Sequence, residues 1–158
     1  MLVVADTSAL LALVACDGLS LLDELFAKVR VPVAVWRECT ISGKAHAESL
    51  NTYLSDKVVE IDLNDYVIAA PGLGAGELEA MALYKHLHAD RLLLDDSRAR
   101  KIAKLNAISV VGSLGVLLLA KRGGLIDLLK PRLVAIEDAG IFISTDLAAE
   151  VLRLASEA

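Results

Sequence analysis

Aromatic side chains are scarce in this chain, 4% of 158 residues, with a single tryptophan. The core must therefore be aliphatic. No aromatic residues interleave with the basic ones, so base stacking, the usual device of single-strand recognition, is not evident. Cysteine is nearly absent. Cys16 and Cys39 stand far apart and in no C-x-x-C arrangement, which argues against a disulfide framework or a zinc site. Reduced thiols in a cytoplasmic protein are the expectation. No apolar run reaches the length of a membrane span. The nearest, VVGSLGVLLLA, is interrupted by glycines and followed at once by Lys121 and Arg122. The apolar start MLVVADTSALLALVAC lacks a basic leader and is broken by Asp6, so it reads as a buried strand and helix, not a signal peptide.

Basic charge is in deficit. Lys plus Arg number 16 against 21 Asp plus Glu, a net −5. That balance weakens the case for a nucleic-acid partner without excluding it, because carboxylates that hold divalent ions count as negative yet are partly neutralised in use. Histidine offers no acid–base pair either. His86 and His88 are two apart on a helical stretch and do not face together, which disfavours a metal-free, two-histidine ribonuclease mechanism. The glycine cluster GLGAG has no P-loop lysine, and DTSA stands where a dinucleotide fold would carry its glycines. GLGAG reads instead as a tight turn that brings Glu77 to a sheet edge.

What the chain does have is aliphatic bulk: 56% hydrophobic residues and a mean hydropathy of +0.57. A well-filled core and apolar surface for self-association both follow from that excess. Short apolar runs alternate with longer helical patterns. LVVA, VRVP, VVEIDL, RLLLDD, ISVVG and GIFIS read as strands. Between them, helices are predicted over 8–15 with Thr7 or Ser8 as N-cap, from Leu19, after Pro32, and over GKAHAESLNTYLSD, GELEAMALYKHLHA, SRARKIAKLNA and SLGVLLLAKRGG. Residues 125–137 look helical with Pro131 breaking the pattern, and TDLAAEVLRLASEA is an amphipathic helix capped by Thr145. Strands alternating with helices imply right-handed crossovers, hence a three-layer α/β/α sandwich around a mainly parallel sheet, in one domain over residues 1–158.

Acidic residues recur where strands end. Asp6 follows LVVA, Glu38 follows VRVPVAVW, Glu77 follows GLGAG, and Asp95 and Asp96 follow RLLL. Each has an ordinary reading by itself: an N-cap for Asp6, a solvated helix residue for Glu38, a helix-dipole partner for Glu77, a turn or cap for Asp95–Asp96. Joint placement on one edge is harder to explain by capping. In open α/β sheets ligands bind at that edge. Carboxylates gathered there repel one another unless a cation sits among them, and a hard, oxygen-seeking ion such as Mg²⁺ or Mn²⁺ is the natural candidate. Arg98, Lys101 and Lys104 recur on one helix face directly after Asp96, either as a phosphate-tracking patch or as a solvated face.

The ordered set ADTSALLAL, VPVAVWREC, GLGAGELEAMALY, LLLDDSRARKIAK and VVGSLGVLLLAKRG resembles the PIN-domain family, the metal-dependent ribonuclease fold that includes VapC-like toxins, over nearly the whole chain. The resemblance implies Asp6, Glu38, Glu77 and Asp96 as catalytic acids and Asp6, Glu77, Asp96 and Asp95 as metal ligands. Leu94 stands where the toxins carry threonine in a Thr-x-Asp pattern, which leaves both Asp95 and Asp96 as candidates for the fourth acid. Ser113 resembles the hydroxyl position that completes the site, with an ordinary helix cap as its other reading. Ser113, Arg98 and Lys101 are the substrate-binding candidates. The implied function is Mg²⁺- or Mn²⁺-dependent RNA hydrolysis by a cytoplasmic toxin with an antitoxin partner. A homodimer is expected and a membrane is not. The competing reading is a non-catalytic PIN-like binding module acting through protein or RNA partners.

Overall fold

A computed structural model of the chain describes residues 1–66 and 71–158. Its sheet consists of β1 (Leu2–Ala5), β2 (Lys28–Pro32), β3 (Val58–Val59), β4 (Arg91–Leu93) and β5 (Val110–Val111). All neighbours are parallel and the order is β3-β2-β1-β4-β5. β1 is the centre, with Val3 paired to Val29 on one side and to Arg91 on the other. Val3, Val4 and Ala5 are fully buried, as a strand covered on both faces requires.

The helices are α1 (Thr7–Ala15), α2 (Leu19–Leu25), α3 (Val33–Cys39), α4 (Ala47–Leu54), α5 (Ala75–Leu87), α6 (Ser97–Leu105), α7 (Ser113–Arg122), α8 (Lys130–Asp138) and α9 (Thr145–Leu154). The result is the expected three-layer α/β/α fold, with a sheet wholly rather than mainly parallel among the described residues. Its core is aliphatic: Leu10, Leu13, Leu22, Leu50, Leu54, Leu83 and Leu117 are among the largest fully buried side chains. Both cysteines are buried and free. Among the described residues no helix is long and apolar enough to cross a membrane.

The strand order places the site. From β1 the chain moves outward through β2 to β3, then returns to the far side of β1 for β4 and β5. The crossovers therefore diverge at the carboxyl ends of β1 and β4. That divergence leaves the crevice where open α/β sheets take their ligands. The ladder holds right up to it, since the Asp6 N–H donates to Leu93 O at 2.9 Å.

Several local expectations are corrected. Asp6, not Thr7 or Ser8, occupies the N-cap position of α1, although its side chain makes no capping hydrogen bond. Pro32 is the last residue of β2 and the N-cap of α3, one position before the first turn. Pro131 does not break a helix; it sits in the first turn of α8, where its missing N–H costs nothing. The cap of α9 is Ser144, whose Oγ accepts the Leu147 N–H at 3.2 Å, not Thr145. GIFIS is not a strand. Its alternation is real, because Ile141 and Ile143 pack on the core while Phe142 is 87% exposed, but residues 141–144 pair with no strand. Glu157 reaches back to the start of α8 and accepts the N–H groups of Leu129 and Lys130 at 2.8 and 3.0 Å.

Candidate functional site

Asp6 lies at the end of the central strand and is 3% exposed. The extended backbone of Asp6 (φ −101°, ψ 163°) turns the chain from strand into helix with the carboxylate at the crevice. Its Oδ2 lies 3.5 Å from the Ser8 hydroxyl, while its Oδ1 is buried with no hydrogen-bond partner. Such an atom normally finds one. Burial pushes the Asp6 carboxyl up to about 6; the neighbouring N–H groups of Thr7 and Ser8 pull the other way, and the charges of Glu77 and Glu38 add to the rise. Glu77, half-buried in the first turn of α5, is also raised, by burial and then by Asp96 and Glu38, with Arg98 partly offsetting. Charge thus links Asp6 to Glu77 and Glu38, and Glu77 to Asp96 and Glu38, across four different segments.

Glu38 is held in place on α3. The Thr7 hydroxyl donates to its Oε2 at 2.5 Å. Behind it lies Gly76, where a Cβ would stand 2.7 Å from both carboxylate oxygens. A glycine inside a helix costs about 0.5–1 kcal/mol relative to alanine. Here the missing Cβ is what admits the Glu38 carboxylate. The GLGAG turn does bring Glu77 to the edge: Gly72 takes φ +75° and Gly74 is the N-cap of α5.

The two aspartates after β4 behave differently. Asp96 is exposed and caps α6, its Oδ1 accepting the Ala99 N–H at 2.8 Å. Asp95 turns toward β5 and α7, where it accepts the Ser113 N–H at 2.7 Å and the Ser113 hydroxyl at 2.6 Å. Ser113 is 2% exposed and is the first residue of α7 rather than its cap, which is Gly112. Its hydroxyl and N–H both face Asp95.

As the side chains stand, no three His, Cys, Asp or Glu groups among the described residues are close enough to hold one ion. The donor chemistry nevertheless fits a hard divalent cation. The orphaned Asp6 Oδ1 is an unused anionic oxygen, and its neighbours are carboxylates.

Of the basic candidates, Arg98 and Lys101 are exposed on α6, and Arg98 donates to Pro71 O at 3.4 Å. Arg100, adjacent to the Arg98–Lys101–Lys104 face, is the half-buried one. It lines a cavity of about 880 Å³ that also takes in Asp95, Asp96 and Ser113. Phe142 lines the same cavity. The strand-like alternation of GIFIS was the signal that Phe142 points outward; nothing in the sequence tied it to Asp95.

A sheet parallel throughout the described residues, with carboxylates at its topological switch point, defines an open-sheet α/β protein. A sequence model of the PIN domain matches residues 2–157, and the chain belongs to the PIN-domain family. PIN domains are in general nucleases acting on nucleic acid with divalent metal ions. Comparison with curated proteins and with solved structures returns no match.

Proposed function

We propose that this chain is a metal-dependent endoribonuclease that hydrolyses RNA phosphodiester bonds, acting as a single PIN unit over residues 1–158. The observation that carries the reading is the partnerless, buried Asp6 Oδ1, on a carboxyl that burial and the charges of Glu77 and Glu38 raise to about 6. A buried, unsatisfied carboxylate beside other carboxylates is costly, and such sites persist where function requires them.

Asp6, Glu77 and Asp96 are the oxygens that would hold Mg²⁺ or Mn²⁺, with Asp95 adjoining. Bound there, the ion supplies Lewis acidity toward the phosphodiester. Glu38 is oriented by the Thr7 hydroxyl and accommodated by the missing Cβ of Gly76. Asp95 is committed to Ser113 and fixes the β5–α7 turn beside the site. Arg98 and Lys101 follow the RNA backbone from the exposed side of α6.

The same ordered motifs support a toxin role, held in check by an antitoxin in the cytoplasm. Exposed Leu119, Leu125, Leu128, Val134 and Leu147 on and between α7, α8 and α9 support a homodimer. Light scattering showing a monomer at micromolar concentration would remove the dimer.

The deciding experiment compares wild type with Asp6→Asn on labelled RNA in Mg²⁺, Mn²⁺ and EDTA. Cleavage by wild type with metal, absent in EDTA and in the variant, is expected. Induced expression of wild type should arrest bacterial growth, and Asp6→Asn should not. If wild type cleaves no RNA with either ion, the binding-module reading becomes the account.

A further inference from the structure

We propose that the cavity beside the carboxylates is a subsite for one unpaired nucleotide of single-stranded RNA, with its base stacked on Phe142 and its phosphate held by Arg100. The choice of RNA rests on the ribonuclease reading; the subsite itself rests on independent features.

The cavity, about 880 Å³, lies within the roughly 300–1,000 Å³ of ligand pockets. Its lining includes Asp95, Asp96 and Arg100 from the segment after β4 and Phe142, Leu147 and Leu154 from the C-terminal segment. Its lining therefore offers an occupant both charged and apolar side chains.

Charge selects an anion. Glu150 lines the cavity but is clamped by Arg153 at 2.7 and 2.9 Å. Asp95 is taken by Ser113, and Asp96 caps α6. Arg100 keeps spare donors, although Asp95 Oδ1 flanks the same point, 3.0 Å from where a Gly112 Cβ would stand. The one hydrogen bond of Arg100 is a long one, 3.4 Å to Leu94 O, and among the described residues no carboxylate lies within ion-pair reach. A half-buried guanidinium with free donors is suited to a phosphate, which it binds in a fork. Gly112 makes room for it, since a Cβ there would stand 2.7 Å from Arg100 Nη1.

The aromatic selects a base. Phe142, at 87% exposure, is the most solvent-exposed large apolar side chain among the described residues. Ile141 and Ile143 anchor its segment to the core, so the ring is presented on a fixed backbone. A single aromatic face serves any base, because every base has a π-face. Paired bases are already stacked and hydrogen-bonded, so the subsite discriminates single strand from duplex.

The test is anisotropy of a short fluorescein-labelled single-stranded RNA in EDTA, against a duplex of the same length and an abasic version. Wild type should prefer the single strand with bases. Phe142→Ala should weaken that binding about ten-fold, and Phe142→Trp should restore it. Arg100→Gln should weaken binding and reduce the salt slope by about one charge. Equal binding of the abasic strand, or unchanged binding by both variants, overturns the proposal. So does a Phe142→Ala variant altered only in self-association, which would make the cavity a protein interface. Cleavage with Mn²⁺ separates the two ideas. A wild type that cleaves, with both variants binding and cleaving as well as it does, sinks the subsite alone. A wild type that binds through Phe142 and Arg100 but never cleaves sinks the ribonuclease alone.

Discussion

Ser113 gives Asp95 two hydrogen bonds, one to each carboxylate oxygen, at 2.7 and 2.6 Å. Asp96, one residue on, spends one oxygen on the Ala99 N–H and still raises Glu77 by its charge. The adjacent acids therefore differ: Asp95 ties the end of β4 to α7, and Asp96 acts by its charge on Glu77.

Asparagine at each position should separate the roles. Asp95→Asn puts an amide NH₂ against one of two donors and should cost about 1–3 kcal/mol. Asp96→Asn should leave stability within about 0.5 kcal/mol, because asparagine caps as well as aspartate. Urea titrations measure both. The metal-induced thermal shift should survive in the first and shrink in the second; the reverse pattern would exchange their assignments.

Metal-free Asp6→Asn should be more stable than wild type near neutral pH, by about 1–3 kcal/mol. Asp6 ionises near 3.8 when unfolded and near 6 when folded. The fold thus prefers the protonated form. Its contribution is fully favourable below the unfolded value and is lost as pH rises toward 6. The advantage of Asp6→Asn should accordingly be complete above about pH 6 and vanish below about pH 4. Denaturation in EDTA across that range checks it, and a pH-independent difference would contradict it.

Mn²⁺ should raise the melting temperature of wild type. At a hundred times the dissociation constant the gain is about 2.7 kcal/mol. Asp6→Asn should show much less. A wild-type curve unmoved at millimolar Mn²⁺ would count against a metal site.

Glu157→Gln tests the clasp on α8. Burial opposes the Glu157 charge, but the Leu129 and Lys130 N–H groups and the Lys121 ammonium, 3.5 Å away, hold its carboxyl below the usual range. The sign is opposite to Asp6: the stabilisation is present above the unfolded value and lost as pH falls through the folded one. The variant should be about 0.5–2 kcal/mol less stable at neutral pH, with the gap closing in acid. A gap that widens in acid would refute the assignment.

Much of the fold was legible because its signals are local and redundant. LVVA and RLLL are apolar runs bounded by acids, and they became the adjacent strands β1 and β4. The α9 cap lies one residue before Thr145, and Pro131 opens α8 instead of breaking it, since a proline inside an apolar pattern reads alike as breaker or first turn. GIFIS shows the deeper limit. Alternation reports which residues face the core, but pairing depends on whether β5 is in reach, and that is settled by tertiary packing. The acids could be assembled from strand order. Arg100 and Phe142 could not, because they stand 42 positions apart (142 − 100) and share no periodicity.

Gly76 has no functional group, yet a side chain there has no room, because a Cβ would stand 2.7 Å from both Glu38 carboxylate oxygens. Alanine is ordinarily the better helix former. At this position its methyl would press on Glu38 while every formal charge stayed in place. Gly76→Ala is thus a way to displace one carboxylate without neutralising any. It would make a charge-matched control, able to tell an effect of field from an effect of fit.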